Sequence, residues 1–570
     1  MQLSLIWNSK VRKGIAGLIF FLANMVPMGC QQDVQNPNEV TMVKVVTNPS
    51  GHVPLAAEIV LQSGLSDITV LVSDGEREWE VPQNIIALGG NIPVVGMKPD
   101  KDHTIKVDYS DSQGRKQSSV LTHKTPKLPE SLLEFPPINV VKSEPELMEP
   151  GLTFLSIRRR ALGRGHWLTP AQLKFSMGWG VLVALNAKGE VVWYYNSDSR
   201  VAGIKRLKNG NLMMHRADFS TREIDLVGNL VGEYYAEKRP KGKSDNPNAI
   251  PILGQQTLHH QPHEMPDGSF LAFSANAHHI PNYPTSELDP EAPRKTQKVM
   301  ADDIVIFDKS GNQVWNWRSM DYLDPYRIGY DTFWSYWWTR GFDQHVDWTH
   351  GNGLSYYPEK RAVLASFRNQ CAVVSIDLDT KNINWILGKH DNWPEHLRDK
   401  LLKPIGDQFM WPCYQHNPRY TSQGTVIMFD NRANGAKMPF EPRPKNYSEN
   451  FSRAVEYKID DESMTIEQIW TTGDEQGEDP CYSFAMSDAW RLPETDNRLV
   501  IYAFCAVLDD TLTEDIMDET KRSGDDLPYG GRVVEYAGEQ EVFRAEVKDP
   551  NEIIQWEVYG GFKSSSIYKP

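Results

Sequence analysis

The chain is poor in positive charge. Its 570 residues include 60 Lys and Arg against 75 Asp and Glu, which gives a formal net charge of −15 at pH 7. One basic run stands out, RRRALGR at 158 to 164, and a single short run of this kind is typical of a solvated surface. Nucleic-acid binding needs a broader basic face, so the composition argues against nucleic acid as a partner.

Long apolar runs are also scarce. The clearest one, residues 15 to 26, is too short for a comfortable transmembrane span. It follows a basic stretch at positions 10 to 13 and leads into Met28, Gly29 and Cys30, which is the layout of a secretory signal. We therefore predict that residues 1–30 form an export signal and that the protein is periplasmic.

The end of this signal allows two kinds of processing. Cys30 directly after Gly29 resembles the cleavage site of bacterial lipoproteins, which predicts membrane attachment through a lipidated Cys30. Pro27, however, occupies a place where such sites prefer an aliphatic residue. Lipid attachment at Cys30 and ordinary cleavage nearby both stay open at this point.

Cysteine is scarce, and no two of the five cysteines have the close spacing of a metal site. The four that follow the signal could form two disulfides in an oxidising compartment. Two of them lie in apolar runs, NQCAVVSID and YAFCAV, that predict buried strands. We therefore favour small buried thiols at these positions, which are Cys371, Cys413, Cys481 and Cys505.

Most of the chain repeats a hairpin. In ALNAKGEVVWYY and DIVIFDKSGNQVWNW, an apolar strand is followed by a turn with Gly and by a second apolar strand that reaches an aromatic residue. Such turns between β-branched and aromatic runs are typical of antiparallel hairpins. Six hairpins with further strand pairs between them predict a six-bladed β-propeller over residues 152–570. The hairpins lie at 184 to 195, 222 to 235, 303 to 317, 372 to 388, 454 to 470 and 533 to 556.

The region before the propeller has a different pattern. Residues 39–124 contain short alternating strands such as HTIKVDYS, and VVGMKPDKDHTIKVDYSD resembles a fibronectin-type module, which predicts a small β-sandwich. Residues 125–151 are rich in proline and are predicted to be a linker that lies along the next domain. The predicted fold class is therefore all-β, a six-bladed β-propeller preceded by a small N-terminal β-sandwich.

Three segments place a histidine just before a strand and a turn: LHHQPHEMPDGSFLAF, HGNGLSYYPEKRAVLASFR and YQHNPRYTSQGTVIMFD. Each occupies the same predicted point of the repeat. Blades arranged around one axis would bring His260, His350 and His416 together, with His416 assigned to the fourth blade. Whether His259 or His260 faces the axis stays open, and Asp302 is assigned to a turn without a catalytic role.

These segments resemble the bacterial arylsulfate sulfotransferase family, periplasmic enzymes that work without the PAPS donor. The most specific parts are HGNG followed by SFRNQ, and QHNPRYTSQGTVIMFDN. The resemblance covers nearly the whole chain after the signal. It implies that His416 carries the sulfuryl group as a sulfohistidine and that His260, His350, Asn352 and Arg368 line the site around it.

The resemblance implies further substrate contacts. A hydroxyl residue followed by an acidic one corresponds to Ser487 and Asp488, and a closing tyrosine near the C-terminus corresponds to Tyr568. It implies no cofactor and no metal ligand. One family feature, a disulfide between two cysteines close together in the sequence beside the nucleophile, is absent, because Cys413 has no near partner along the chain.

The residue types also suit sulfuryl transfer. Like phosphoryl transfer, this reaction mainly needs positioning and neutralisation of charge on oxygen. Arg368 offers a permanent charge and a planar fork, and a neutral imidazole can form the covalent intermediate. A second histidine can exchange a proton with the phenolic oxygen. We therefore predict ping-pong transfer from an aryl sulfate donor to a phenolic acceptor, with aromatic surroundings at Tyr356, Tyr357, Trp411, Tyr414 and Trp490.

Other classes of protein stay open. Three histidines on an axis could bind a divalent metal and activate water, as in metal-dependent hydrolases. The chain could also be a non-catalytic propeller that presents a binding surface. A formylglycine-type sulfatase is disfavoured because no cysteine lies in the required C/S-x-P-x-R run. The natural donor and acceptor are not specified by the sequence, and neither is the oligomeric state, for which a homodimer is one option.

Overall fold

The computed structural model describes residues 43–161, 168–406, 409–441, 450–472, 481–506, 512–513, 522–523 and 529–568. The predicted export signal, including Cys30, lies outside these residues. The described chain is nearly all β. None of its helices combines the length and the apolar character that a membrane span requires.

Two small sheets form the N-terminal β-sandwich. In the strand Asp102–Ser110 the sequence DHTIKVDYS alternates, and its buried side chains include His103, Ile105 and Val107. This period of two places one face of the strand against the core. One sheet consists of Val43–Thr47, Ala57–Leu61 and Ile92–Val94, and the other of Glu78–Glu80, Ser66–Ser73, Asp102–Ser110 and Lys116–Lys124.

Six further sheets form the blades of a propeller. Given from the inner strand outwards, blade 1 contains Ile554–Ser564, Leu152–Ala161, Gly180–Leu185 and Val191–Ser197, blade 2 contains Val201–Arg206, Leu212–Arg216, Ser220–Ile224, Leu230–Ala236 and Ile250–Ile252, and blade 3 contains His259–Glu264, Phe270–Tyr283, Lys295–Phe307 and Gln313–Arg318. Blade 4 contains Gly351–Tyr357, Ala362–Phe367, Ala372–Asp377 and Ile383–Gly388, blade 5 contains His416–Tyr420, Val426–Asp430, Arg453–Asp460, Thr465–Thr471 and Lys403–Ile405, and blade 6 contains Asp488–Arg491, Arg498–Cys505, Gly530–Ala537, Gln540–Val547 and Ile138–Ser143.

The remaining elements are short. Val346–Asp347 pairs with the third strand of blade 3, and Leu512–Thr513 pairs with Arg522–Ser523. The described helices are Gln83–Ile86, Pro170–Met177 and Ser319–Tyr322, with 3-10 turns at Trp338–Arg340, Pro358–Lys360, Arg368–Gln370, Glu395–Lys400 and Ala433–Ala436.

The blades close into a ring because both ends of the domain share blade 1. The C-terminal strand Ile554–Ser564 pairs antiparallel with Leu152–Ala161, and each inner strand lies beside the inner strand of the next blade. This arrangement confirms the predicted six-bladed propeller preceded by a β-sandwich. His416, however, begins the inner strand of blade 5 and not of the fourth blade, because the first predicted hairpin already belongs to blade 1.

The proline-rich segment before the propeller contributes to it directly. Within residues 125–151, the strand Ile138–Ser143 pairs antiparallel with Gln540–Val547 and becomes the outermost strand of blade 6. The segment therefore links the domains and also extends a sheet. The strands around it pack through large buried aromatics between blades, including Trp193, Trp317 and Trp385, each at most 1% exposed.

Candidate active site

β-Bulges on the inner strands turn side chains towards the propeller axis. The antiparallel register shifts between His259 and His263 in blade 3 and between His416 and Arg419 in blade 5. A bulge adds an unpaired residue, which breaks the alternation of a strand and redirects its side chains. Similar shifts occur in blades 4 and 1, so that the residues lying within the four bulges include His260, Asn352, Asn417 and Tyr559.

The glycines of HGNG allow two inner strands to approach closely. A Cβ at Gly351 would lie 2.5 Å from the ring of Phe273, and a Cβ at Gly353 would lie 2.6 Å from the backbone nitrogen of Asn417. Because only glycine lacks that carbon, blade 4 can contact the bulge of blade 5 directly. The motif is thus a packing requirement that brings His350 close to the start of the strand carrying His416.

The three predicted histidines converge. The ring centroid of His260 lies 5.5 Å from that of His416 and 5.9 Å from that of His350. His260 and His350 have backbone φ of 58° and 47°, values in the left-handed region that is uncommon for residues with a side chain. Such strained positions occur preferentially at functional sites.

Each of these rings is held through its Nδ1 atom. His416 Nδ1 lies 3.2 Å from the carbonyl oxygen of Ser487, and His350 Nδ1 lies 2.5 Å from a carboxylate oxygen of Asp347. His260 Nδ1 lies 2.8 Å from His259 Nδ1. Since Ser487 offers only an acceptor, His416 must carry its proton on Nδ1, which leaves a lone pair on Nε2. None of the three Nε2 atoms has a hydrogen-bond partner among the described residues.

His259 supports His260 from behind and does not join the central rings. Its Nε2 lies 2.8 Å from Asp302, and its ring stacks on Phe273 at 5.6 Å. Because the proton on Nε2 points to Asp302, a neutral His259 accepts through Nδ1 from His260. His260 is therefore the member of the pair that faces the axis.

Asp302 corrects an expectation from the sequence. It lies within the strand Lys295–Phe307, not in a turn, and it accepts hydrogen bonds from the Thr349 hydroxyl at 2.5 Å and the Gly351 N–H at 2.7 Å. Burial acts to raise the pKa of Asp302, but His259 and these hydrogen bonds lower it overall. The carboxylate thus stays charged and fixes the orientation of His259.

Burial keeps the central imidazoles neutral. It lowers the pKa of His416 to about 3, and repulsion from His350 acts in the same direction. Burial, followed by the neighbouring imidazole of His259, holds the pKa of His260 well below its ordinary value. A neutral His416 with a free Nε2 is the form of imidazole that can act as a nucleophile.

Arg368 lies beside these rings in the turn that follows the second strand of blade 4. Its Nη1 atom lies 2.6 Å from a carboxylate oxygen of Asp331, and its guanidinium lies 4.8 Å from the ring of Tyr414. Burial acts to lower the pKa of Arg368, but the charge of Asp331 leaves it raised. The positive charge of Arg368 also acts to lower the pKa of His416.

Two disulfides replace the free thiols predicted from the sequence. Cys371 pairs with Cys413, and Cys481 pairs with Cys505. The first partners are 42 positions apart, so spacing along the chain gave no sign of the bond, yet propeller closure brings their strands together. Cys371 lies three positions after Arg368, and Cys413 lies three positions before His416. This disulfide therefore joins the two segments that carry these side chains.

Three predicted substrate contacts have protein partners instead. Asn352 donates from Nδ2 to the carbonyl of Gln415 at 2.7 Å, while its Oδ1 is buried without a partner in the described chain. Ser487 holds His416 through its backbone carbonyl, and its hydroxyl lies 2.8 Å from that of Ser483. Asp488 forms an ion pair with the guanidinium of Arg419, away from the three imidazoles.

The tyrosines of the site differ from those predicted. Tyr568 lies between the domains, where its hydroxyl accepts from the Val95 N–H at 3.1 Å and donates to the Pro93 carbonyl at 3.2 Å. Tyr559 lies beside the imidazoles instead, with ring centroids 5.8 Å from His416. Tyr336 contacts His350 at 4.6 Å. The bulge that exposes Tyr559 to the axis is not visible in the sequence pattern, which explains why this residue was missed.

The nominated aromatic residues are mostly used in packing. Tyr357 stacks on Tyr420 at 4.2 Å, and Trp411 contacts His390 at 5.0 Å. Tyr414 is the one that contacts a candidate catalytic side chain, Arg368. Among the residues that the structure describes, no group of three or more His, Cys, Asp or Glu is arranged to hold a metal ion.

A six-bladed propeller with three neutral imidazoles and an arginine on its axis, preceded by a β-sandwich, defines the class of this protein as an axial-site propeller enzyme. Residues 138–553 match the family model for arylsulfotransferase (ASST), and residues 44–126 match the model for the arylsulfotransferase Ig-like domain. The chain therefore belongs to the arylsulfotransferase family and is an aryl sulfotransferase.

Individual relatives agree with this assignment. The arylsulfate sulfotransferase AssT of Lelliottia amnigena is 24% identical over 523 residues, covering 76% of this chain and 80% of that protein. The protein of the same name from Escherichia coli O6:H1 strain CFT073 is 24% identical over 520 residues with the same coverage of 76% and 80%. Among solved structures, a luciferin-regenerating enzyme covers 75% of this chain and 99% of its own at 9% identity, with a TM-score of 0.31.

Proposed function

We propose that this enzyme transfers a sulfuryl group from an aryl sulfate ester to a phenolic acceptor in a ping-pong reaction through a sulfohistidine on His416. The observation that carries the proposal is the state of His416. Its Nδ1 is committed to the Ser487 carbonyl, its pKa is lowered to about 3, and no described residue occupies its Nε2. Such an imidazole is a neutral nucleophile with a fixed direction of attack.

In the first half-reaction, the Nε2 lone pair of His416 attacks sulfur as the bond from sulfur to the aryl oxygen breaks. The phenolic oxygen leaves with the bonding electrons and takes up a proton. In the second half-reaction, an acceptor phenol loses its proton as its oxygen attacks sulfur. The N–S bond then breaks, and His416 regains its lone pair.

His350 is the group best suited to hold that proton. Its Nδ1 lies 2.5 Å from Asp347, and a carboxylate at this distance stabilises the imidazolium that forms when Nε2 is protonated. His416 has a backbone carbonyl in the same position and so lacks this support. The two rings are thereby given different tasks, with His350 as general acid and base and His416 as nucleophile.

Arg368 and His260 complete the site. Arg368 provides a buried positive charge, kept by its pair with Asp331, that can stabilise negative charge on the sulfuryl oxygens. His260 is adjacent to both other rings and orders them by packing. Asp302 and His259 act through His260 as positioning residues.

Location outside the cytoplasm is part of the proposal. Two disulfides are expected in an oxidising compartment such as the bacterial periplasm. Together with the signal-like layout of residues 1–30, they support export. Attachment of the exported protein to the membrane through a lipid on Cys30 would be checked by labelling cells with a fatty-acid probe and comparing Cys30→Ser.

The test is an assay with 4-nitrophenyl sulfate, with and without added phenol. We expect phenol to raise nitrophenolate release at least tenfold, because water competes poorly for the sulfohistidine in a site built for an aromatic acceptor. Equal rates would indicate hydrolysis and contradict the transfer reaction. Absence of release with either mixture, in protein that unfolds cooperatively, would indicate a non-catalytic propeller.

A further inference from the structure

A second cavity lies at the other end of the same inner strands. The histidines occupy the beginnings of the inner strands, whereas this cavity, of about 420 Å³, is lined by residues at their ends. Its volume is in the range of small-molecule pockets. The lining relevant here consists of Lys205, Arg206, Lys208, Tyr356, Trp490 and Phe562, and we name this region the lysine end.

A layer of paired polar side chains separates the lysine end from the histidines. Gln261 donates from Nε2 to the side-chain oxygen of Asn417 at 3.1 Å. Arg419 forms an ion pair with Asp488 and lies 3.3 Å above the ring of Trp490. Since Gln261 and Asn417 follow His260 and His416 directly along the chain, the layer lies immediately beneath the imidazoles. The cavity is therefore distinct from the catalytic cluster.

The cations of the lysine end have few negative partners. Lys205 forms no ion pair within the described chain, and its ammonium lies 5.4 Å from the ring of Trp490. Arg206 donates from Nη2 to the carbonyl of Ile567, whereas its buried Nε and Nη1 have no partner among the described residues. Unpaired buried charges are costly, so they are typically retained to bind something of opposite sign.

The carboxylates near the cavity do not neutralise these charges. Glu264 accepts from the backbone N–H of Lys208 at 2.8 Å, and Glu535 is paired with Lys563 at 2.5 Å. Lys208 donates its own ammonium to the carbonyl of Met265. Three cations thus face one carboxylate that is not already paired with a lysine.

The walls between these cations are aromatic. Tyr356, Trp490 and Phe562 come from the inner strands of blades 4, 6 and 1, and flat rings from three directions suit a flat apolar ligand. A purely inorganic anion would leave this surface unused. The combination of unpaired cations and aromatic walls selects for one ligand that carries both features.

We propose that the lysine end is a second binding site, separate from the catalytic histidines, for small aromatic anions such as arene sulfonates, sulfates or carboxylates. The anionic group lies against Lys205, Arg206 and Lys208, and the ring lies between the aromatic walls. Burial, and then repulsion from Arg419, lowers the pKa of Lys205 to about 7. An anion at the lysine end therefore binds more weakly as the pH rises above this value, because Lys205 loses its charge.

The test is calorimetric titration with benzenesulfonate, whose C–S bond cannot take part in sulfuryl transfer. The protein should show a binding event that persists in Arg368→Ala but is weakened at least tenfold in Lys205→Met. Lys205→Arg should retain binding, and Lys360→Met, at an exposed lysine paired with Asp461, should not change it. Thermal unfolding confirms that each variant is folded.

Two further arms test the ligand class and the charge. Methanesulfonate should bind at least tenfold more weakly than benzenesulfonate, and benzenesulfonate affinity should fall between pH 6 and pH 8.5. The proposal is overturned if no binding event is seen, if only Arg368→Ala weakens it, or if Lys205→Met binds like the parent. Equal binding of methanesulfonate would also overturn it, since the aromatic walls would then have no role.

Discussion

The two ends of the propeller axis use polar residues in opposite ways. At the histidine end, His260, His350 and His416 each have a separate partner that fixes the ring and its proton. At the lysine end, Lys205 and Arg206 face a cavity without a carboxylate partner in the described chain. Groups that react must be held in one geometry and protonation state, whereas groups that bind and release an anion need charge more than rigidity.

The contrast has its origin in the inner strands. At the histidine end, bulges in four blades interrupt the alternation of side chains, and a disulfide joins Cys371 to Cys413 beside the catalytic residues. At the lysine end, the strand ends lie at the mouth of the channel. One set of strands therefore carries a strained, cross-linked site at its start and an open, charged cavity at its end.

The largest expected effect of those that separate the two ends is the loss of Arg368. Arg368→Ala should lower kcat/KM for 4-nitrophenyl sulfate by about 10²–10³-fold, as for removal of one group that stabilises charge in the transition state. Arg368→Lys should recover only part of this loss because it lacks the planar fork. Arg361→Ala, which removes an exposed arginine paired with Asp379, is the matched control. Full activity of Arg368→Lys would contradict the assigned role.

A second comparison uses the leaving group. His350→Ala and Asp347→Asn should lower the rate on the order of 10²-fold with phenyl sulfate, whose phenolate is strongly basic and needs a proton. With 4-nitrophenyl sulfate the loss should be less than tenfold, since nitrophenolate leaves without protonation. Steady-state kinetics with both donors measures the difference. Equal losses would mean that His350 does not supply the proton.

The pH dependence should reflect the burial of His416. Its pKa is lowered to about 3, and the neutral ring is the reactive form, so the rate is lost only as the pH falls towards that value. We expect kcat/KM for 4-nitrophenyl sulfate to change less than twofold between pH 7 and pH 5. An imidazole with the ordinary pKa of about 6.5 would lose roughly 30-fold at pH 5. Circular dichroism at both values checks that the protein remains folded.

The smallest effect is expected at the lysine end. Lys205→Met should leave kcat/KM for 4-nitrophenyl sulfate within twofold of the parent, because the Gln261 and Arg419 layer separates Lys205 from the imidazoles. Initial rates at several donor concentrations measure this, with Lys360→Met as the control. A tenfold loss would show that the two ends form one site and would remove the distinction made here.

Much of the fold follows from local sequence. Turns with Gly between apolar runs and closing residues such as Trp193 and Trp317 define hairpins within short windows, and these predicted the six blades. The strand Ile138–Ser143 was missed because it is separated from its partner Gln540–Val547 by most of the chain. Local patterning carries no information about such a pairing.

The site was predictable only where a motif carried it. His260, His350 and His416 precede their strands in similar segments, whereas Asp302 supports His260 from a different strand of blade 3. Tyr559 follows from a bulge that depends on the pairing of the first and last blade strands. Features made by contacts across blades, including both disulfides, therefore had no signal in the sequence.

The central claim is that His416 carries the sulfuryl group. The most direct measurement is intact-mass analysis of protein mixed with excess 4-nitrophenyl sulfate and no acceptor, at neutral or alkaline pH because an N–S bond to imidazole is acid-labile. We expect one added sulfuryl group, mapped by peptide analysis to the segment that contains His416, and no adduct in His416→Ala. An adduct on another residue, or full turnover by His416→Ala, would contradict the mechanism.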